Sequence, residues 1–234
     1  RVGGEGECRF INTKAKSSSL QHLCSPSPCP LPLREERKSR YSFFMTRIIS
    51  ILLLLTLAAC GRGEMRPGVT DISGVMPNLK FTMMRANDGA AVTQESYRGK
   101  VILLYFGYTH CPDVCPATLS NLANVLKALG PRAEDVRVLF VSVDPARDNL
   151  AALKDYANAF APQIDGLRGS DNEIAKLAQR YRVLYSVKQT PQGEEVMHSD
   201  SVFIFDRAGK AREVMTDTSD VKGIAKDLKM LVSN

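Results

Sequence analysis

The chain has 234 residues, a length that suits one large domain or two small ones, with 44% of them apolar and 24% charged. Its formal net charge of +6 is concentrated at one end. Residues 1–59 hold 9 of the 31 basic and 4 of the 25 acidic residues, which leaves 22 against 21; the rest of the chain is near neutral at +1 and offers a nucleic acid no electrostatic footing.

Residues 1–44 include SSSLQHLCSPSPCPLPLREERKSR, a mixture of turn residues and charges with no period. They read as an upstream leader, disordered or outside the native reading frame, and Cys8, His22, Cys24 and Cys29 go with them. At Met45 begins MTRIISILLLLTLAAC. Arg47 supplies a positive flank, Ile48 to Leu57 an apolar run about half the ~20 residues of a membrane span, and Leu57-Ala58-Ala59-Cys60 a small-residue cleavage site. Residues 45–59 are therefore expected to be a signal peptide. The Leu-Ala-Ala-Cys ending resembles a bacterial lipobox, which implies that Cys60 carries lipid and anchors the protein to a bacterial membrane. The domain would then be extracytoplasmic, facing the periplasm or cell exterior. Residues 60–78, aperiodic and containing Gly, Pro and Met, are expected to be the lipid-attached tether.

From Leu79 to the end no linker-like break appears, so residues 79–234 are expected to form one domain. LKFTMM and AAV flank Asn87-Asp88-Gly89, a hairpin signal. VILLYFG (101–107) is a continuous apolar run, as in a strand buried on both faces. PATLSNLANVLKAL (116–129) has helical spacing, with Pro116 in the first turn and Gly130 at the stop. VRVLFVSV (136–143) predicts a second buried strand. Asp148 is the expected cap of NLAALKDYANAF, and Asp171 of EIAKLAQRY. VLYSV (183–187) predicts a strand, VFIF-DRAGK-AREVM a hairpin, and DVKGIAKDLKMLV a closing amphipathic helix. This order predicts an α/β fold, a thioredoxin-like sandwich with an N-terminal hairpin extension.

The chemistry concentrates in GYTHCPDVCP (107–116). Cys111 and Cys115 follow a buried strand and enter a helix, where free N–H groups favour a thiolate. At i and i+4 both sulfurs can face one point. Three readings fit: a redox dithiol, a metal clamp and a structural disulfide, the last weakened by so short a loop. Two thiolates with one imidazole would satisfy three-coordinate Cu(I). Downstream of the leader only His110 and His198 are present. His110 adjoins Cys111 and is awkward as a co-ligand; His198 precedes VFIF, on the side that faces the cysteine loop in a thioredoxin-like sheet. Asp144 and Asp148, in DPARD, follow a strand end where sites of α/β sheets gather, and are candidates for contacts behind the ligands. Their plainer roles are a turn before Pro145 and a helix cap.

GYTHCPDVCP, VSVDPARDN, YRVLYSV and MHSDSVFIFDRAGK, in that order, resemble the Sco/SenC family of membrane-attached copper proteins from about residue 71 onward. The resemblance implies copper, as Cu(I) and also Cu(II), on Cys111, Cys115 and His198. It also implies a role in maturing the binuclear copper centre of cytochrome c oxidase, by donating copper, by reducing the acceptor's cysteines, or both. The implied partners are that acceptor subunit or another cuproprotein, and the membrane through lipidated Cys60. Where the family has an aspartate before the histidine, this chain has Met197, with Asp200 two residues beyond His198; the change bears on copper affinity, because a ligating imidazole usually needs an acceptor for its other N–H. The alternative is an extracytoplasmic thiol-disulfide oxidoreductase or thiol peroxidase, with Cys111 attacking and Cys115 resolving. His198, which dithiol exchange does not need, and the missing proline before VFIF both favour copper.

Overall fold

The computed structural model describes residues 66–190 and 193–233, together with Met45 and Arg47. The leader, most of the signal-peptide run, Cys60 and the start of the tether lie outside the described residues. Two compact units divide the chain, and the second, Gly63–Asn234, is the one considered below. Among the described residues no helix is long and apolar enough to cross a membrane.

Its elements in chain order are β1 (Val69–Asp71), β2 (Thr82–Arg85), β3 (Ala91–Thr93), β4 (Val101–Gly107), α1 (Val114–Leu129), β5 (Val136–Ser142), α2 (Leu150–Asn158), β6 (Ile164–Arg168), α3 (Asp171–Tyr181), β7 (Tyr185–Thr190), β8 (Gly193–His198), β9 (Val202–Phe205), β10 (Ala211–Met215) and α4 (Val221–Ser233). Eight strands form one sheet in the order β1-β10-β9-β4-β5-β6-β2-β3, and β7 pairs with β8 in a separate hairpin. All seven residues of β4 are buried, as its unbroken apolar run requires. β5 lies parallel to β4, with Gly107 opposite Ser142, and β9 runs antiparallel on its other side, with Tyr105 opposite Val202. The thioredoxin-like sandwich and its N-terminal hairpin are thus present. β2 and β3 turn through Asp88 and Gly89, whose φ of 70° is the left-handed conformation that glycine adopts without cost.

Four local expectations are corrected. Helix α2 is capped by Asn149, whose Oδ1 accepts from Ala152 N at 2.9 Å, while the neighbouring Asp148 turns inward. Helix α3 is capped by Ser170, because only that residue has a glutamate at the third helical position, Glu173, to close a capping box. Residues 69–71, expected within the tether, form an edge strand on β10. The strand expected at 183–187 begins at Tyr185 and folds back as β7–β8, and His198 is the last residue of β8.

Candidate metal centre

β4 delivers the cysteine loop to one end of the sheet. At its last residue there is no space for a side chain: a Cβ on Gly107 would lie 2.5 Å from the Phe140 ring and 2.8 Å from Cys115 Sγ. Glycine therefore lets the sulfur pack directly against the backbone. This requirement is invisible in the sequence, where Gly107 reads only as the end of a run. Cys111 N donates to Tyr108 O at 3.3 Å, and α1 begins two residues after Pro112.

The N-cap of α1, Asp113, makes no side-chain cap bond. One of the helix's free amides is taken by sulfur instead: Cys115 N donates to Cys111 Sγ at 3.4 Å. Burial works against a Cys111 thiolate, but the N–H groups of Cys115 and its neighbours at the helix start outweigh it, and the pKa falls below that of an ordinary thiol. Cys115 is fully buried, and burial pushes its thiol up to about 12. Cys111 and Cys115, both free, are therefore unlike, one poised and partly exposed, the other closed in.

His198 completes the group. Its Nε2 is 3.3 Å from Cys115 Sγ, and its Nδ1 is 2.9 Å from Ser199 O. A carbonyl only accepts, so the ring proton sits on Nδ1 and the Nε2 lone pair faces the sulfurs. Met197 therefore leaves no vacancy: the backbone at Ser199 supplies the acceptor. Asp200 is exposed and lines the cleft above the site. The rings of Tyr105 and Tyr108 stand edge-on to the imidazole, 6.1 and 5.9 Å away, and restrict its tilt. The two sulfurs and Nε2 all lie within 4.8 Å of one another. Donors sharing an ion at about 2.0–2.3 Å stand roughly 3–4.5 Å apart, so this set fits one metal ion. Thiolates with imidazole suit soft ions. The cleft, about 480 Å3, is lined by Tyr108, Cys111, Val114, Met197, His198 and Asp200.

His110, Asp144 and Asp148 form a second cluster within 4.8 Å. Their oxygens are already engaged. Asp148, fully buried, accepts from Thr109 Oγ1 at 2.5 Å, Thr109 N at 3.1 Å and Ser142 Oγ at 2.6 Å. Asp144 accepts from Arg147 Nε, and the Arg147 guanidinium lies 5.8 Å from the centroid of the Tyr108 ring. The cluster is a clasp that ties the DPARD loop to the residues just before Cys111. His110 is exposed, with Nδ1 3.0 Å from Thr109 Oγ1, and is not among the three converging ligands.

The SCO1/SenC family model matches residues 77–233. The bovine (Bos taurus) mitochondrial SCO2 homolog is 40% identical over 125 residues, 52% of this chain and 47% of that protein. This chain thus spans about half the length of the curated relatives it matches. The copper-bound structure of Bradyrhizobium japonicum ScoI is 38% identical, with a TM-score of 0.61 over 66% of this chain and 98% of that one. BsSco, a protein with a disulfide switch from the Sco family of cytochrome c oxidase assembly proteins, is 28% identical, with a TM-score of 0.52 over 67% and 95%. With two sulfurs and an imidazole converging on a thioredoxin-like frame, the chain belongs to the SCO1/SenC family.

Proposed function

We propose that this protein binds copper through Cys111, Cys115 and His198 and serves the assembly of cytochrome c oxidase, as donor of copper to its binuclear site, as reductant of that site's cysteines, or both. The observation that carries this reading is the convergence of both sulfurs and His198 Nε2 within 4.8 Å, a donor set that a plain dithiol reductant has no use for. The copper-bound relative supports the choice of ion.

Copper is the cargo, and the protein's residues set how it is held and released. Cys111 and His198 line the cleft, where an incoming thiolate can displace them; Cys115 is buried behind them. In the reductase role, the Cys111 thiolate attacks one sulfur of the acceptor's disulfide and expels the other as a thiolate. Cys115 then attacks the Cys111 sulfur of the mixed disulfide, its proton passing to the acceptor thiolate that it expels. Two electrons leave the Cys111/Cys115 pair, which ends as a disulfide, and the acceptor ends as a dithiol ready for metal. Attachment to the membrane through acylated Cys60 belongs to the same reading, on the strength of the Leu-Ala-Ala-Cys sequence.

Anaerobic Cu(I) titration of the reduced protein tests the metal assignment. One equivalent bound tightly, weakened in His198→Ala and lost in Cys111→Ser/Cys115→Ser, is expected. Binding unchanged without His198 would overturn the three-ligand assignment, and no binding at all would leave a thiol oxidoreductase. Intact mass of the membrane-extracted protein tests Cys60, with a diacylglyceryl mass at that residue expected.

A further inference from the structure

Helix α4 carries Lys222, Lys226 and Lys229 at i, i+4 and i+7, one face of a helix, and all three are exposed. Arg132, after α1, comes alongside and donates to Ser233 Oγ at 3.1 Å. With Ser233 and Met230, which is 55% exposed, these residues line a shallow depression of about 590 Å3 that holds four cations and no carboxylate. Among the described residues none of the three lysines forms an ion pair. The helix's one acid, Asp227, is taken by Arg66, whose Nε donates to it at 2.9 Å. Arg66 also reaches Asp220 at 3.4 Å.

These contacts have two consequences. Like charges repel at this spacing, so the stripe is mildly unfavourable until opposite charge meets it. Because the domain and tether are near neutral by count, the patch is a local feature and not a sample of general basicity. Moreover Arg66, six residues beyond Cys60, is fastened to the same helix. Six extended residues reach at most about 20 Å, so a lipid at Cys60 would keep α4 beside the headgroups. Lysine stems can lie along an apolar surface with their ammonium groups in the headgroup layer, while an exposed methionine dips inward.

We propose that the Lys222/Lys226/Lys229/Arg132 face of α4 docks on anionic phospholipid headgroups, as an electrostatic contact beside the acyl chains. The proximity argument rests on the membrane attachment proposed above, whereas the charge argument does not. β10 runs in the same direction as β4 and ends level with Tyr105, so α4 starts at the sheet end that carries the cysteines. Docking by α4, a helix about 20 Å long, would hold the metal cleft near the membrane surface.

The test is co-sedimentation of the full chain, with Cys60→Ser to prevent acylation, on vesicles of phosphatidylcholine alone and with phosphatidylglycerol added, at physiological ionic strength. Wild type is expected to prefer the anionic vesicles. Lys222→Gln/Lys226→Gln/Lys229→Gln should lose on the order of 100-fold in partitioning onto them, with neutral vesicles unaffected. Lys80→Gln/Lys154→Gln/Lys176→Gln, an equal change of charge elsewhere, should retain most of the preference. Both variants keep the basic residues 1–59, so the comparison isolates α4. Equal behaviour of the two variants overturns the proposal, as does a wild type indifferent to lipid charge, which would leave the face for an acidic protein. Intact mass of the membrane-extracted wild type separates the two readings: an unacylated Cys60 with intact lipid preference sinks the attachment alone, and the reverse sinks only the docking face.

Discussion

Cys115 Sγ and His198 Nε2 stand 3.3 Å apart although 83 residues separate them along the chain. β4 and β9 create this meeting. They are neighbours in the sheet, β4 runs out into the cysteine loop, and β9 begins at Val202, four residues after His198. In the metal-free protein the Cys115 S–H donates to Nε2, and the same lone pair becomes the ligand once the thiol gives up its proton. Two-dimensional 15N NMR of the reduced protein should therefore show the His198 proton on Nδ1. Adding Cu(I) should shift the Nε2 resonance and leave Nδ1–H in place. A proton found on Nε2 would remove His198 from the ligand set.

The two thiols should differ in reactivity. Burial opposes ionisation of both, but only Cys111 has helix amides facing its sulfur, so its pKa is lowered while that of Cys115 is raised to about 12. A lowered thiol pKa means more thiolate at neutral pH. Alkylation of Cys111 by iodoacetamide should thus reach half its limiting rate below the pH of about 8.5 typical of a free thiol. Cys115 should react only after denaturation. Peptide mass spectrometry of protein alkylated at a series of pH values on either side of the free-thiol value reads both sites. Equal rates at the two would contradict the asymmetry.

Much of this arrangement was legible in the sequence, and what was not has physical causes. VILLYFG announced a doubly covered strand because every residue in it is apolar, Cys111 and Cys115 stood out by type and spacing, and His198 joined them as a ligand through the family resemblance. β6 did not, since Asp165 and Gly166 interrupt IDGLR, and neither did the hairpin from Tyr185 to His198, whose return strand opens with Gly-Glu-Glu. Asp148 and Asn149 are both able to cap a helix, and only the folded loop decides which one turns inward. The acceptor that orients His198 is a backbone carbonyl, a group every residue has, so the change to Met197 suggested a loss that the fold makes good.

Asp148 should prove to be a positioning residue for the cysteine loop. Its carboxylate accepts from both the backbone and the hydroxyl of Thr109, and from Ser142, while its own carbonyl accepts from Arg168 Nε at 3.1 Å. Asp148→Asn keeps the shape but turns one acceptor into a donor facing hydroxyl groups, a mismatch worth about 1–3 kcal/mol in a buried place. Urea denaturation should show that loss. Cu(I) affinity should fall by about 10–100-fold, the usual effect of removing support behind a ligand. If Asp148 merely stabilised the fold, affinity in dilute buffer would stay at the wild-type value, so the two measurements together separate the roles.

Gly107→Ala probes the tightest contact of the centre. The added methyl would meet the Phe140 ring at 2.5 Å and Cys115 Sγ at 2.8 Å, both closer than carbon and sulfur tolerate, and the residues on either side are buried. Phe140 is itself fully buried on β5 and cannot swing out, so the strain must be relieved through the sulfur and the start of α1. Overpacking of this kind costs about 1–3 kcal/mol. The accompanying displacement of Cys115 should separate it from His198 Nε2, so Cu(I) affinity should fall together with the urea midpoint. Phe140→Leu, which frees space on the ring side, should restore copper binding to Gly107→Ala while lowering stability further. Failure of that rescue would mean that the clash with Cys115 Sγ, and not the one with the ring, displaces the sulfur.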